Sequence, residues 1–81
     1  MLEIDDAVGE AYYCQIEGLR KGRAGHDPQP CILRAGVFLE SNQPVLRCLD
    51  ASGRPAIVAI LSHAQAEELG EALLRAARVK S

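Results

Sequence analysis

Aromatic side chains are scarce in this chain, which has one phenylalanine, two tyrosines and no tryptophan among 81 residues. These three side chains are Tyr12, Tyr13 and Phe38. The core must therefore be built from Leu, Ile, Val and Ala, without bulky anchors. A chain of this length makes one domain and removes only about 60 to 65% of its unfolded surface from water. The sequence predicts a single domain over residues 1–81 with a small core.

A basic excess is also missing, since the formal net charge is −2. Dedicated nucleic-acid binders usually carry a basic patch or stripe, so the bulk charge argues against DNA or RNA as the partner. The amino-terminal part is purely acidic, because the first basic residue is Arg20.

Targeting signals are absent from the start of the sequence as given, where acidic residues stand in place of a basic region. No apolar run approaches the roughly 18 to 20 residues that span a bilayer. The three cysteines, Cys14, Cys31 and Cys48, are an odd number and do not form a dense framework, which argues against a secreted disulfide scaffold. These features predict a cytoplasmic protein that does not bind membranes.

Motifs for metals, cofactors and catalysis are missing too. No cysteine or histidine pair has zinc-ligand spacing, and Gly18, Gly22 and Gly25 match neither the dinucleotide fingerprint nor the P-loop. Cys31 with His26 and Asp27 is the one constellation that could support thiol catalysis, and "GHDPQP" is more typical of an exposed turn. We therefore expect no catalytic residue, no metal, no cofactor and no enzymatic activity.

Four strands are predicted from apolar alternation and turn residues. They cover residues 10–18, 31–40, 45–50 and 55–61. In the first strand, Tyr12, Cys14 and Ile16 are predicted to share one face. Residues 19–30 are predicted to form a long hairpin loop, and "DASGR" a tight turn in which Gly53 takes a positive φ. Residues 1–9 are predicted to form an amino-terminal segment that can be mobile.

A carboxy-terminal helix over residues 62–79 is the clearest element. Ser62 and Gln65 have the spacing of a capping box, and Ala66, Leu69 and Leu73 form an apolar stripe. Gly70 lies beside that stripe, which predicts close contact between helix and sheet. The fold class is therefore α+β, a four-stranded, mostly antiparallel sheet in ββββα order with one helix packed on one face.

One helix of this length covers only one face of such a sheet, whereas the strands at 31–40 and 55–61 are apolar on both faces. Either the amino-terminal segment crosses the second face, or a second copy or another partner covers it. We expect a homodimer. The predicted dimer or sheet-face contacts are Ile32, Phe38, Val58 and Ile60.

The favoured function is a small non-enzymatic protein-interaction module that acts as an adaptor or inhibitor of another protein. Short bacterial and phage proteins of this build include inhibitors such as anti-CRISPR proteins, and the predicted architecture is compatible with that class. Arg20, Lys21, Arg23 and His26 are the predicted partner contacts in the loop. The alternative is a nucleic-acid-binding accessory protein that uses Arg20, Lys21 and Arg23 to contact phosphates. The same loop could instead pair with the acidic amino-terminal segment.

Overall fold

The computed structural model describes residues 2–79, which form one antiparallel sheet and one helix. The elements are β1 (Glu3–Asp5), β2 (Glu10–Arg20), β3 (Gln29–Phe38), β4 (Pro44–Leu49), β5 (Pro55–Ile60) and α1 (His63–Ala77). Strands that follow one another in sequence are neighbours in the sheet, in the order β1-β2-β3-β4-β5. The predicted α+β class, with an antiparallel sheet and a carboxy-terminal helix, is confirmed.

The predicted number of strands is wrong, because the sheet has five strands and not four. The additional strand, β1, lies within the segment 1–9 and pairs with β2, with Ile4 opposite Ala11. Three residues are too few to show the alternation by which a strand is detected in sequence.

The connection between β2 and β3 is shorter than predicted, since β2 continues to Arg20 and β3 begins at Gln29. The loop therefore spans residues 21–28 and not 19–30. Within it the amide of His26 donates to the carbonyl of Arg23 at 2.9 Å, and Gly25 takes a φ of 86°. A compact turn closes the tip of this hairpin.

A β-bulge at Tyr13 interrupts the pairing of β2 with β3. Tyr12 lies opposite Gly36, and Cys14 lies opposite Ala35, so Tyr13 has no partner on β3. Gly36 and Ala35 are adjacent and point to opposite faces, and therefore Tyr12 and Cys14 do as well. The prediction that Tyr12, Cys14 and Ile16 share a face is wrong for Tyr12.

The register divides the sheet into two faces. The apolar face carries only apolar, cysteine and glycine positions apart from the paired Arg20 and Gln29 at one end: Ile4, Ala11, Cys14, Ile16, Gly18, Cys31, Leu33, Ala35, Val37, Pro44, Leu46, Cys48, Ile57 and Ala59. The mixed face carries all the other charged strand positions, which are Glu3, Asp5, Glu10, Glu17, Arg34 and Arg47. Uncharged residues share this face with them: Tyr12, Gln15, Leu19, Pro30, Ile32, Gly36, Phe38, Val45, Leu49, Val58 and Ile60.

Helix α1 begins at the predicted cap. The Ser62 hydroxyl accepts from the Gln65 amide at 3.0 Å, and the Gln65 side chain accepts from the Ser62 amide at 2.9 Å, which confirms the capping box. The helix lies over the apolar face, but no helix residue is buried. At Gly70 an added Cβ would meet no atom within 4 Å, so the predicted close contact with the sheet is wrong. The inward residues Ala66 and Gly70 are too short to fill the gap.

The turn between β4 and β5 is held by Asp50, as expected for "DASGR". Its carboxylate accepts from the amides of Ser52 and Arg54, each at 2.9 Å, and from the Ser52 hydroxyl at 2.6 Å. Gly53 takes a φ of 85°, which only glycine adopts without strain. The hydrogen bonds from Ser52, followed by the amide of Arg54, lower the pKa of Asp50.

This lowered pKa predicts a pH-dependent contribution to stability. Because folding favours the ionised Asp50, its contribution is complete above the ordinary carboxyl pKa near 4 and is lost as the pH falls through the lower folded value. We expect Asp50→Ala to have a lower Tm than the wild type at pH 7, and the difference to shrink between about pH 4 and pH 2. Thermal unfolding of both proteins at a series of pH values measures this. A difference that stays constant to pH 2 would contradict it.

Candidate interaction surface

An ion pair is buried on the mixed face. The Arg47 guanidinium donates through Nε to both carboxylate oxygens of Glu10, at 3.2 and 3.1 Å, and its Nη2 also contacts Glu10. Glu10 is 2% exposed and Arg47 is 8% exposed. These hydrogen bonds raise the pKa of Arg47. The pair ties β2 to β4 across the intervening strand β3.

A second polar cluster surrounds Arg34 on the same face. Arg34 donates to Asp5 at 3.1 Å and to Gln15 at 2.7 Å, and its guanidinium lies 4.7 Å from the centre of the Tyr12 ring. The Tyr12 hydroxyl in turn donates to the Glu3 carboxylate at 3.2 Å. Burial, followed by this hydrogen bond, raises the pKa of Tyr12. The bulge makes the cluster possible, because it turns Tyr12 onto this face.

Both clusters are closed within the chain. Among residues 2–79, every buried side-chain nitrogen or oxygen has a hydrogen-bond partner. Arg47 and Glu10, together with Val45 and Leu49, also account for most of the buried residues, and all four lie on the mixed face. Such satisfied polar pairs hold neighbouring strands in one register.

The four predicted dimer contacts share the mixed face by register. Ile32 and Phe38 are half-buried there, whereas Val58 and Ile60 are exposed on β5 at the edge of the sheet. The structure thus places Ile32, Phe38, Val58 and Ile60 on one surface with the polar clusters, a neighbourhood that the sequence did not indicate.

The apolar face is the larger uncovered apolar surface, and sequence reasoning missed it because a helix was expected to pack over it. Ile16 and Ile57 are exposed on this face, and Leu73 of the helix stripe is 61% exposed. A cleft of about 350 Å³ separates α1 from the sheet. Its lining combines one end of the sheet, mainly on the apolar face, with Leu61 and the helix stripe: Tyr13, Ala35, Gly36, Val37, Pro44, Val45, Leu46, Leu61, Ala66, Leu69, Gly70 and Leu73.

The rest of the apolar face has no helix over it. A shallow cleft of about 280 Å³ lies there, with Arg20 at its rim. The residues of the apolar face in its lining are Cys31, Leu33, Leu46, Cys48, Ile57 and Ala59, and Leu19 of the mixed face reaches its edge. We call this region the bare half of the apolar face.

The basic loop lies apart from the polar clusters. Arg20 ends β2, and Lys21, Arg23 and His26 lie in the loop, where all four side chains are exposed. The acidic residues of the amino-terminal segment that form ion pairs use other partners, since Asp5 pairs with Arg34 and Glu10 with Arg47. These two carboxylates are thus occupied by other partners, and pairing of the loop with the acidic amino-terminal segment, of its own chain or of a second chain, stays a prediction.

The cysteines are free thiols in three environments: Cys14 is exposed, Cys31 is buried and Cys48 is half-buried. Burial, followed by a hydrogen bond with the Cys31 thiol, raises the pKa of Cys48, which favours its protonated form. His26 and Asp27, the proposed partners of Cys31 in catalysis, are exposed in the loop. Cys31 is instead next to Cys48.

The concave features that most resemble a substrate site in the described chain are open grooves. One of about 490 Å³ is lined by Glu17, Gly18, Leu19, Pro30, Cys31, Ile32 and Ala51. Its one carboxylate, Glu17, could act as a base, but the register places Glu17 and Cys31 on opposite faces of the sheet. Over residues 2–79, no three His, Cys, Asp or Glu side chains are grouped so that they could hold a metal ion.

Residues 2–79 also contain no helix that is both long and apolar enough to cross a membrane.

Comparisons were made with protein-family models, with curated proteins and with solved structures. None of the three gave a match to this chain.

Proposed function

We propose that the protein is a non-enzymatic interaction module that works as a homodimer and acts as an adaptor or inhibitor of another protein. The observation that carries this proposal is its accessible surface of 6508 Å². A folded monomer of 8.7 kDa exposes about 4,700 Å² on average. One copy therefore leaves roughly 1,800 Å² more surface in water than a self-sufficient domain of this mass.

The small core supports the same proposal. The buried apolar residues are Ala11, Cys31, Val45 and Leu49, and no bulky side chain is fully buried within the described chain. Burial of apolar area is the main favourable contribution to folding, and a domain of this size has little of it to spare. Association with a second copy supplies the missing burial.

The openness of the grooves that residues 2–79 form is what favours a non-enzymatic role. Enzymes hold their reacting groups in a concave site that excludes water, with titratable side chains converging on it. The grooves of this chain are open, and its charged clusters are closed on themselves. Three free thiols suit a reducing compartment, in keeping with a cytoplasmic protein.

Binding of the second, heterologous protein is proposed for the exposed loop with Arg20, Lys21, Arg23 and His26. Arg20 ends β2, and the other three lie in the loop that follows it; all four are exposed and suit an acidic surface on a partner. Phosphate contact by Arg20, Lys21 and Arg23 is the alternative use of the same residues. The one aromatic side chain that is largely exposed, Tyr13, lines the cleft under α1 and not the loop, so no stacking platform supports that alternative.

The test of the homodimer is its mass in solution. Light scattering over a concentration series is expected to give about twice 8.7 kDa, at both low and high salt, because an apolar interface is insensitive to screening. A dimer that dissociates at high salt would point to a charged interface instead. A mass of one chain at every concentration would overturn the proposal of a homodimer.

A further inference from the structure

The two halves of the apolar face differ only in what covers them. The half around Ala35, Val37 and Pro44 lies under α1 of its own chain, whereas the bare half around Leu33, Cys48 and Ile57 has no helix above it. Both halves share Leu46 and form one continuous surface. The apolar stripe of the helix is incompletely covered, since its residues Leu69 and Leu73 remain exposed.

We propose, on the basis of the homodimer proposed above, that two copies join through their apolar faces and that α1 of each copy covers the bare half of the other. The occupant of the bare half is thus a second copy of this chain. Leu73 of one copy lies against the region of Leu33 and Ile57 in its partner copy.

The chemistry of the face suits self-association. A symmetric interface places the same patch on both copies, so any charge near its centre is desolvated twice. The apolar face carries no charged residue between Ile4 and Ala59 other than Arg20 at one end. The mixed face would instead press Glu17 and Arg34 of both copies into the interface.

The amount of uncovered surface fits this dimer. Interfaces of standard size bury about 800 Å² on each partner, and obligate homodimers bury more, with a higher apolar share. The excess of roughly 1,800 Å² on one copy falls in the obligate range. Packing sheet to sheet without the helix would leave the apolar stripe of α1 in water.

The position of α1 selects the relative orientation of the copies. If the two-fold axis ran parallel to the strands, α1 of one copy would lie against α1 of the other. The bare halves of the two copies would then face each other across a gap as thick as the helices. An axis across the strands brings the α1 end of one copy to the Arg20 end of the other. Arg20 then lies near a helix that carries Glu67, Glu68 and Glu71, so the charges at the rim are complementary.

Two neighbouring residues on β5 test the choice of face. Ile57 lies on the apolar face and is 60% exposed, and Val58 lies on the mixed face and is 41% exposed. We expect Ile57→Asp to raise the dissociation constant of the dimer at least about 100-fold, because a carboxylate would be buried without a partner. Val58→Asp, the matched control, is expected to change it by less than about threefold. Light scattering and sedimentation measure both.

The outcomes separate this inference from the proposed function. A monomeric wild type overturns both. If the wild type is a dimer that Val58→Asp dissociates and Ile57→Asp does not, the apolar-face interface alone is overturned. The same holds if neither substitution weakens the dimer, a result that would point to pairing along the β5 edge.

Thiol labelling of the unaltered protein gives a second measurement, which decides the case if Ile57→Asp fails to fold. Cys14 lies on the apolar face and is exposed in a single copy. Its rate of modification by a thiol reagent is expected to fall as the protein concentration rises, in step with the mass, and Cys14→Ser identifies its signal. A rate that is independent of concentration while the mass doubles would overturn the inference.

Discussion

Replacing Gly36 with alanine is expected to destabilise the fold by at least about 3 kcal/mol. A Cβ at this position would lie 2.6 Å from the Cα of Tyr12 and 2.9 Å from the carbonyl carbon of Ala11. Both are backbone atoms of β2, and they cannot move without breaking the pairing around the bulge. Unfolding in urea, followed by circular dichroism, measures the change.

A second glycine provides the matched control. Gly70 lies in α1, where an added Cβ would meet nothing within 4 Å. Gly70→Ala is expected to stabilise the protein by about 1 kcal/mol, because alanine has the higher helix propensity. If Gly36→Ala were as stable as the wild type, the close approach of β2 and β3 at the bulge would be absent from the native fold.

Arg47→Met is expected to lower the free energy of unfolding by about 3 to 5 kcal/mol, because it leaves the Glu10 carboxylate buried without its partner. The comparison is Arg34→Met. The side chains of Arg34 and Asp5 are 20% and 28% exposed, so this ion pair is partly screened by water and its loss is expected to cost about 1 kcal/mol. Chemical unfolding of the two variants at neutral pH gives the difference.

A double variant separates the pair from its surroundings. Combining Arg47→Met with Glu10→Leu removes both charges and is expected to recover most of the stability that Arg47→Met alone loses. Equal costs for Arg47→Met and Arg34→Met would mean that the Glu10–Arg47 pair is exposed to water in solution. A double variant no more stable than the single one would assign the loss to packing and not to the unpaired charge.

Local signals in the sequence were sufficient for the helix, its cap and the turn at Asp50. Each depends on residues a few positions apart, such as Ser62 with Gln65 or Asp50 with Ser52 and Arg54. The alternation in β3 likewise identified its two faces, because that strand is regular over its length. Hydrophobic periodicity shows which side of its own helix or strand each residue lies on.

Features that depend on distant partners were not predictable in this way. Arg47 interrupts an apolar run in β4, and nothing near it in sequence identifies Glu10, which is 37 positions away, as its partner. The bulge at Tyr13 shifts the phase of β2 without any glycine or proline to mark it. Hydrophobic periodicity identified the stripe on α1 but not what the stripe contacts, so the exposure of Leu73 was missed.

The order of the strands has a consequence for how the protein forms. Because each strand pairs with its neighbours in sequence, the sheet can grow one hairpin at a time as the chain leaves the ribosome. Formation of the proposed homodimer would add a last step that is different in kind, because the encounter of two chains is second order and its rate falls with the square of their concentration. Dilution would slow that step and prolong the lifetime of single chains with an uncovered apolar face, which are prone to aggregate. For such a dimer, the concentration of the protein would enter directly into its folding.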